Sequence, residues 1–194
     1  MKEEIKRENQ TVFQPCQSND CQQLQMFIEE EVGEFALDSP PIAFLKLFNV
    51  KTTIPSDSNR LLFAFLDDLR NSMSSLIVSN YHQYTFPKLE ISQARGLLFD
   101  LLTEGTGGGA NAIDDKNEAK QIIKNLFDWC GEDCYFYTNW NRNYRPNTQD
   151  REYSYPLGGG GGHTLFQVSD YSAEEGLIFV SSSRAGIFWF FGED

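Results

Sequence analysis

Long apolar runs and histidines are what this sequence most lacks. No stretch approaches the roughly 18 apolar residues that a membrane-spanning helix requires, and no apolar run follows the charged start MKEEIKRENQ as it does in a secretory signal. Only two histidines occur, His82 and His163, and neither stands at a spacing from carboxylates that is typical of a metal site. We therefore expect a cytoplasmic protein that has no membrane partner, no metal and no cofactor.

Positive charge is also scarce. The chain has 16 Lys and Arg against 28 Asp and Glu, which gives a formal net charge of −12 at pH 7. A surface of this sign repels nucleic-acid phosphates, so we expect no nucleic-acid partner, and a basic protein is the complementary one. We assign partner binding to two acidic runs, Glu29, Glu30 and Glu31, and Asp67 and Asp68. Alternatively, these runs are ordinary solvated helix faces that keep the protein soluble.

Cysteine is present only at positions 16, 21, 130 and 134, as a C-x4-C pair and a C-x3-C pair. Structural zinc sites favour tighter C-x2-C pairs within compact units, whereas these two pairs stand more than a hundred residues apart. In a reducing cytoplasm the simplest interpretation is four free thiols.

Complete catalytic motifs are absent as well. Neither G-x-S-x-G nor H-E-x-x-H occurs, and the glycine-rich stretch EGTGGGANAIDD lacks the G-K-[ST] end of a phosphate-binding loop. The adjacent Glu174 and Glu175 are the kind of pair that a solvated turn carries. These features favour a non-catalytic protein.

The rest of the composition is that of a folded chain. Of its 194 residues 40% are apolar, with 16 Phe, 8 Tyr and 3 Trp. We divide the chain into a polar leader, residues 1–15, and a single α+β domain, residues 16–194. In residues 18–130 apolar side chains recur at helical spacing and predict a cluster of about five helices. The five segments are SNDCQQLQMFIEEEVGEF, SPPIAFLKLF, SDSNRLLFAFLDDLRNSMSSLIVSNYHQY, LEISQARGLLFDLLTEG and DDKNEAKQIIKNLFDWCG.

Beyond Gly131 the pattern changes to short aromatic and β-branched runs, which favour strands. The runs are CYFYTNW, HTLFQVSDY, GLIFVSSS and GIFWFFGED. They predict an antiparallel sheet of three to four strands in residues 133–192, with the last two strands joined as a hairpin through Arg184, Ala185 and Gly186. The expected fold is an N-terminal helical cluster packed on a C-terminal sheet.

Between the first two of these runs lies a stretch, residues 139–163, in which aromatic residues are interleaved with arginines. Binding surfaces use this combination because aromatic rings supply rigid area and arginines supply planar donors. We assign partner binding to Trp140, Tyr144, Tyr153 and Tyr155, and, as a second hypothesis, ligand binding to Arg142, Arg145, Arg151 and His163. The glycine run 158–162 is either a hinge or a loop whose amides face an anion. Alternatively, the stretch is a long connection whose tyrosines cover the sheet.

In size and acidity the chain resembles bacterial immunity proteins, which neutralise cationic toxins. The resemblance is one of composition, with no shared motif, and it implies an inhibitor of a basic protein partner. The alternative hypothesis is a small enzyme or ligand-binding module with a pocket under residues 141–163. A third is a structural subunit of a larger assembly.

Overall fold

The structure, a computed structural model, describes seven parts of the chain, which are residues 11–32, 43–52, 58–72, 81–83, 85–105, 112–157 and 173–192. These parts contain four α-helices, namely α1 (Asn19–Val32), α2 (Ser58–Ser72), α3 (Ile91–Glu104) and α4 (Lys116–Cys130). They also contain eight strands, namely β1 (Thr11–Pro15), β2 (Ala43–Thr52), β3 (Lys88–Leu89), β4 (Tyr135–Thr138), β5 (Tyr144–Pro146), β6 (Ser154–Pro156), β7 (Ala173–Val180) and β8 (Arg184–Gly192). A short 3-10 helix, Tyr81–Gln83, precedes β3.

Six of the strands form one antiparallel sheet in the order β1-β2-β8-β7-β4-β3. Its centre is made by β2, β8 and β7, where Leu45 lies opposite Phe188 and Ile178 lies opposite Ile187. Strands β5 and β6 pair separately as a two-stranded sheet. Each of the three central strands is therefore paired on both sides by other strands.

Helices cover both faces of the six-stranded sheet. Successive residues of a strand point to opposite faces, and along β7 Leu177 and Phe179 belong to one apolar core whereas Ile178 and Val180 belong to the other. The first core also holds the apolar sides of α1, α3 and α4, and the second holds that of α2. The architecture thus has three layers, and of the four described α-helices α2 covers one face and the other three cover the opposite face.

The α+β class is confirmed, but the predicted arrangement is wrong. The described residues contain four α-helices, placed on both faces of the sheet, rather than five clustered on one side. The main sheet has six strands rather than three or four. Three of its strands, β1, β2 and β3, come from residues that the sequence patterns assign to the leader or to the helical part of the chain.

Strand β2 takes the place of the second predicted helix. Its sequence AFLKLFNVKT is mostly apolar because the strand is central and is covered on both faces. Leu45 and Leu47 face one core, and Phe48 and Val50 face the other. A short apolar run of this kind fits a buried helix as well as a buried strand, so periodicity alone does not separate the two.

The other four helices are confirmed, with different bounds. Helix α2 buries the expected apolar stripe, including Phe65 and Leu66. In that predicted helix, residues 73–80 and the residue after Gln83 lie outside the described residues. The predicted strand HTLFQVSDY also lies outside them. Helices α3 and α4 end at Gly105 and Gly131, whose φ angles of 74° and 81° suit a helix C-terminus. None of the helices in the described ranges is long and apolar enough to cross a bilayer.

The β7–β8 hairpin is confirmed as well, although its turn lies earlier than predicted. Residues 181–183 form the turn, in which the amide of Arg184 donates to Ser181 Oγ at 3.0 Å. Arg184, Ala185 and Gly186 already belong to β8. A Cβ on Gly186 would overlap the ring of Phe179, so glycine is needed at this position for packing across the hairpin.

Residues 139–157, here called the 139–157 segment, carry β5 and β6 and lie on α3. The closest approach is at Gly96, where a Cβ would overlap the carbonyl oxygen of Ser154. The hydroxyl oxygens of Ser92 and Ser154 lie 3.1 Å apart beside it. The close contact explains why a glycine stands in the middle of a helix, where it costs stability relative to alanine.

Replacing Gly96 by alanine should destabilise the protein by about 1–3 kcal/mol, because the 139–157 segment has to move away from α3. Urea unfolding followed by circular dichroism measures the loss, and hydrogen exchange should become faster in residues 144–157. The control is Ile91→Ala, at a position of the same helix that is 49% exposed. A Gly96→Ala variant that is more stable than the parent would contradict the close packing.

Candidate functional site

Ion pairs hold the 139–157 segment against two helices. Arg95 Nη1 of α3 lies 2.8 Å from Glu152 Oε2, and Lys120 Nζ of α4 lies 2.8 Å from Asp150 Oδ2. Both pairs are partly exposed, so each stabilises the fold only slightly by itself. Together they fix the segment in position across α3 and α4.

The aromatic residues of the segment make contacts within the protein. Tyr153 is buried, and its ring centroid lies 5.9 Å from that of Phe99 and 6.0 Å from that of Tyr155. Trp140 donates from Nε1 to the carbonyl oxygen of Glu174 at 3.2 Å. Much of the aromatic area assigned to partner binding is therefore used to attach the segment to α3 and to the sheet.

Arg142 joins the segment to the main sheet. Its Nη2 lies 2.5 Å from Glu175 Oε2 of β7, and its Nη1 lies 3.8 Å from Asp100 Oδ2 of α3. The guanidinium carbon also lies 4.6 Å from the ring centroid of Trp140. Glu175 is only 1% exposed, so removing Arg142 would leave its carboxyl buried without a cationic partner.

Three polar atoms of this cluster are buried without a hydrogen-bond partner, namely Arg142 Nε, Tyr144 OH and Glu175 Oε1. Burial raises the pKa of Glu175 to about 7; the nearby Arg142 opposes this rise and Asp100 adds to it. Burial also raises the pKa of Tyr144, so its phenol stays protonated and able to donate. An unpaired buried polar group costs roughly 1–3 kcal/mol. These unpaired atoms therefore lower the stability of the fold, and a rearrangement or an added polar group that forms hydrogen bonds with them would restore it.

Glu174 is buried on the opposite face of β7. Its Oε2 accepts from Trp189 Nε1 at 2.7 Å, and its carbonyl oxygen accepts from Asn139 Nδ2 at 3.0 Å. The prediction of a solvated turn at Glu174 and Glu175 is therefore wrong. The sequence does carry a signal for these two residues, because carboxylates that directly precede the apolar run GLIFV in one strand must find polar partners.

A groove of about 460 Å³ opens beside Asp100, between α3, α4 and β6. Its lining residues are Phe99, Asp100, Thr103, Glu104, Lys116, Asn117, Lys120 and Tyr155. The groove combines two aromatic rings with charges of both signs. It borders the Arg142 cluster through Asp100.

The other residues assigned to ligand binding lie elsewhere. Arg145 is exposed and lines a separate groove of about 590 Å³ that also includes Tyr155 and Leu157. Arg151 is exposed in the connection between β5 and β6. His163 and the glycine run lie outside the described residues. The structure thus brings Arg142 and Tyr144 together but does not place Arg145 or Arg151 beside them.

The two acidic runs lie on helices that cover opposite faces of the sheet. Residues 29–31 form the last turn of α1, and their side chains lie outside the described part of the structure. Asp67 and Asp68 belong to α2. Asp67 Oδ1 accepts from Tyr81 OH at 2.5 Å and lies 2.9 Å from His82 Nε2. This carboxylate therefore ties the 3-10 helix to α2, and the two runs do not form one surface.

A third groove, of about 500 Å³, lies between α1 and α4. Its apolar lining consists of Leu24, Phe27 and Trp129, and Asp20 and Asp128 contribute one carboxylate from each helix. Arg184 of β8 also lines the groove, with its guanidinium carbon 5.0 Å from the ring centroid of Trp129. Asp128 pairs with Lys124 at 2.6 Å, but both side chains are exposed and the pair is weak. Sequence patterns do not reveal this groove, because Asp20 and Asp128 line one cleft only when α1 and α4 pack on the same face of the sheet.

The cysteines form one disulfide and leave two free thiols. Cys16 and Cys21 are bonded, with Cα atoms 6.0 Å apart, where the end of β1 meets the first turn of α1. The expectation of four free thiols is therefore wrong for this pair, whereas Cys130 and Cys134 are free. Among the residues that the structure describes, no three His, Cys, Asp or Glu side chains are grouped as a metal site would require.

Comparison of the chain with protein-family models, with curated proteins and with solved structures finds no significant match.

The Glu175 carboxyl should give the folded protein an unusual pH dependence. Because its folded-state pKa lies above the ordinary 4.5, its contribution to stability is complete below pH 4.5 and is lost as the pH rises to about 7. The side chain in Glu175→Gln is neutral at every pH. The Tm of this variant minus the Tm of the parent should therefore rise between pH 4.5 and about 7 and stay constant at higher pH. Thermal unfolding at a series of pH values measures this difference. A difference that stays flat for Glu175→Gln would refute the assignment.

Proposed function

We propose that the protein is a non-catalytic binding protein that captures a basic protein partner at the groove between α1 and α4. The groove has an apolar lining of Leu24, Phe27 and Trp129, and its charged lining is two carboxylates, Asp20 and Asp128, against one cation, Arg184. A basic amphipathic segment complements such a groove, because its apolar side chains contact the lining while its lysines or arginines face the carboxylates. The net charge of −12 favours the same kind of partner at longer range.

The charge on α1 is the observation that carries this proposal. The helix has four acidic residues and no Lys or Arg, and three of the four, at 29–31, occupy its last turn. A helix C-terminus is the negative end of the helix dipole, so acidic residues there are unfavourable. A cationic partner would relieve this repulsion.

We further propose that the partner is a toxin and that the protein is an immunity-type inhibitor that acts in the cytoplasm. The size and acidity of the chain support this, because inhibitors of basic enzymes gain association rate from opposite charge. In a reducing compartment the Cys16–Cys21 disulfide is protected by burial, since Cys16 is 6% exposed and Cys21 is 0% exposed. An attacking thiolate has little access to either sulfur atom.

The groove beside Asp100 supports a second candidate function, a small enzyme or ligand-binding module. There, a groove lined by Phe99 and Tyr155 borders a cluster with unpaired buried polar atoms. A nucleotide or another phosphate compound that raises the Tm of the parent but not of Lys116→Gln, which removes a cation of the groove lining, would favour this candidate. If no such compound raises the Tm of the parent, the proposal of a basic protein partner is favoured over this candidate.

The leading proposal predicts where a basic probe binds. The probe is a synthetic amphipathic peptide with lysines on its polar face, and the matched peptide has glutamates at the same positions. We expect the lysine peptide to shift the backbone amide NMR signals of α1 and α4, and its affinity to fall as salt is raised from about 0.05 to 0.5 M. The double variant Asp20→Lys/Asp128→Lys should weaken binding by about tenfold or more.

The control variant is Glu104→Lys/Asp114→Lys, which changes the net charge equally but at two exposed residues outside the α1–α4 groove. It should lower affinity much less than the groove variant. Equal losses in the two variants would mean that only net charge matters, and equal binding of both peptides would contradict the proposal.

A further inference from the structure

The two free thiols lie close together where α4 ends. Cys130 is the last residue of α4 and is buried, and Cys134 is half-buried and directly precedes β4. Gly131, with its φ of 81°, ends the helix and turns the chain back. As a result, the Cys134 thiol donates to the carbonyl oxygen of Cys130 at 3.3 Å, and the two side chains share a hydrogen bond.

The surroundings give the two thiols different reactivity. The hydrogen bond from the Cys130 thiol lowers the pKa of Cys134, and the Ser181 hydroxyl and the charge of Arg184 act in the same direction. Burial and Asp133 oppose this effect. Burial raises the pKa of Cys130 well above its ordinary value. Since the thiolate is the reactive form, Cys134 is the thiol that attacks first and Cys130 is the one that follows.

We propose that Cys130 and Cys134 form a redox-active thiol pair that low-molecular-weight disulfides oxidise to an intramolecular disulfide. The Cys134 thiolate attacks one sulfur of the small disulfide, whose S–S bond breaks, and one small thiolate leaves. Cys130 then gives up its proton and attacks Cys134 Sγ, so the Cys130–Cys134 bond forms and the second small thiolate leaves. The two cysteines lose two electrons, and the small disulfide gains them to become two thiols.

The fold favours the second step. Cys134 Sγ lies 3.3 Å from the carbonyl oxygen of Cys130 before any reaction, so the two cysteines are already adjacent when Cys130 loses its proton and attacks the mixed disulfide. The half-buried position of Cys134 admits a small disulfide, whereas the buried Cys130 is shielded from it. The buried Cys16–Cys21 disulfide takes no part in either step.

The test uses the folded, full-length protein in mixtures of oxidised and reduced glutathione, followed by acid quenching, alkylation and peptide mass spectrometry. We expect a Cys130–Cys134 disulfide in the parent. Cys130→Ala should stop at the mixed disulfide on Cys134, and Cys134→Ala should leave Cys130 unmodified. In Cys130→Ala the pH midpoint for alkylation of Cys134 should also rise, because the hydrogen bond from Cys130 is lost.

Denatured protein is the structural control, and in it the two thiols should react at similar rates. Three results would overturn the proposal. They are a folded protein whose Cys130 reacts as fast as Cys134, a mixed disulfide that persists in the parent, and an intramolecular disulfide that fails to form when Cys16 and Cys21 are both replaced by alanine.

Discussion

Burial of both faces of one antiparallel sheet is the constraint on which the rest of the structure depends. Strands β7 and β8 direct apolar side chains to each face, so helices must cover both sides to keep them from water. Helices α1, α3 and α4 cover one face and α2 covers the other. The α1–α4 groove and the groove beside Asp100 both lie on the face that three helices cover, because separate helices packed side by side leave clefts between them.

Because both faces of the sheet are covered, two carboxylates at the start of β7 are also buried. Glu174 and Glu175 enter the sheet side by side, one on each face, and neither can reach water. The 139–157 segment supplies partners to both, because Asn139 bonds the backbone of Glu174 and Arg142 pairs with the carboxylate of Glu175. The aromatic residues of the segment and one of its three arginines, Arg142, thus attach it to the sheet and to α3.

The sequence predicts the elements that one apolar stripe or one strong signal defines. Helices α3 and α4 have such stripes and glycine stops, and the β7–β8 hairpin joins two strongly β-prone runs. Strand β2 is not predictable in this way, because burial on both faces removes the alternation that distinguishes strands. The Arg142–Glu175 pair and the α1–α4 groove join residues far apart in the chain, and periodicity carries no information about such contacts.

The layered fold also limits how a partner can use the acidic surface. The run at residues 29–31 lies on α1, whereas Asp67 and Asp68 lie on α2, across the sheet. A standard interface buries only about 800 Å² on each partner, a small part of the total accessible surface of 11393 Å². A compact partner seated on α1 and α4 therefore cannot also contact α2. The charge of Asp68 acts on such a partner only through the long-range field, while Asp67 holds Tyr81 and His82 in place.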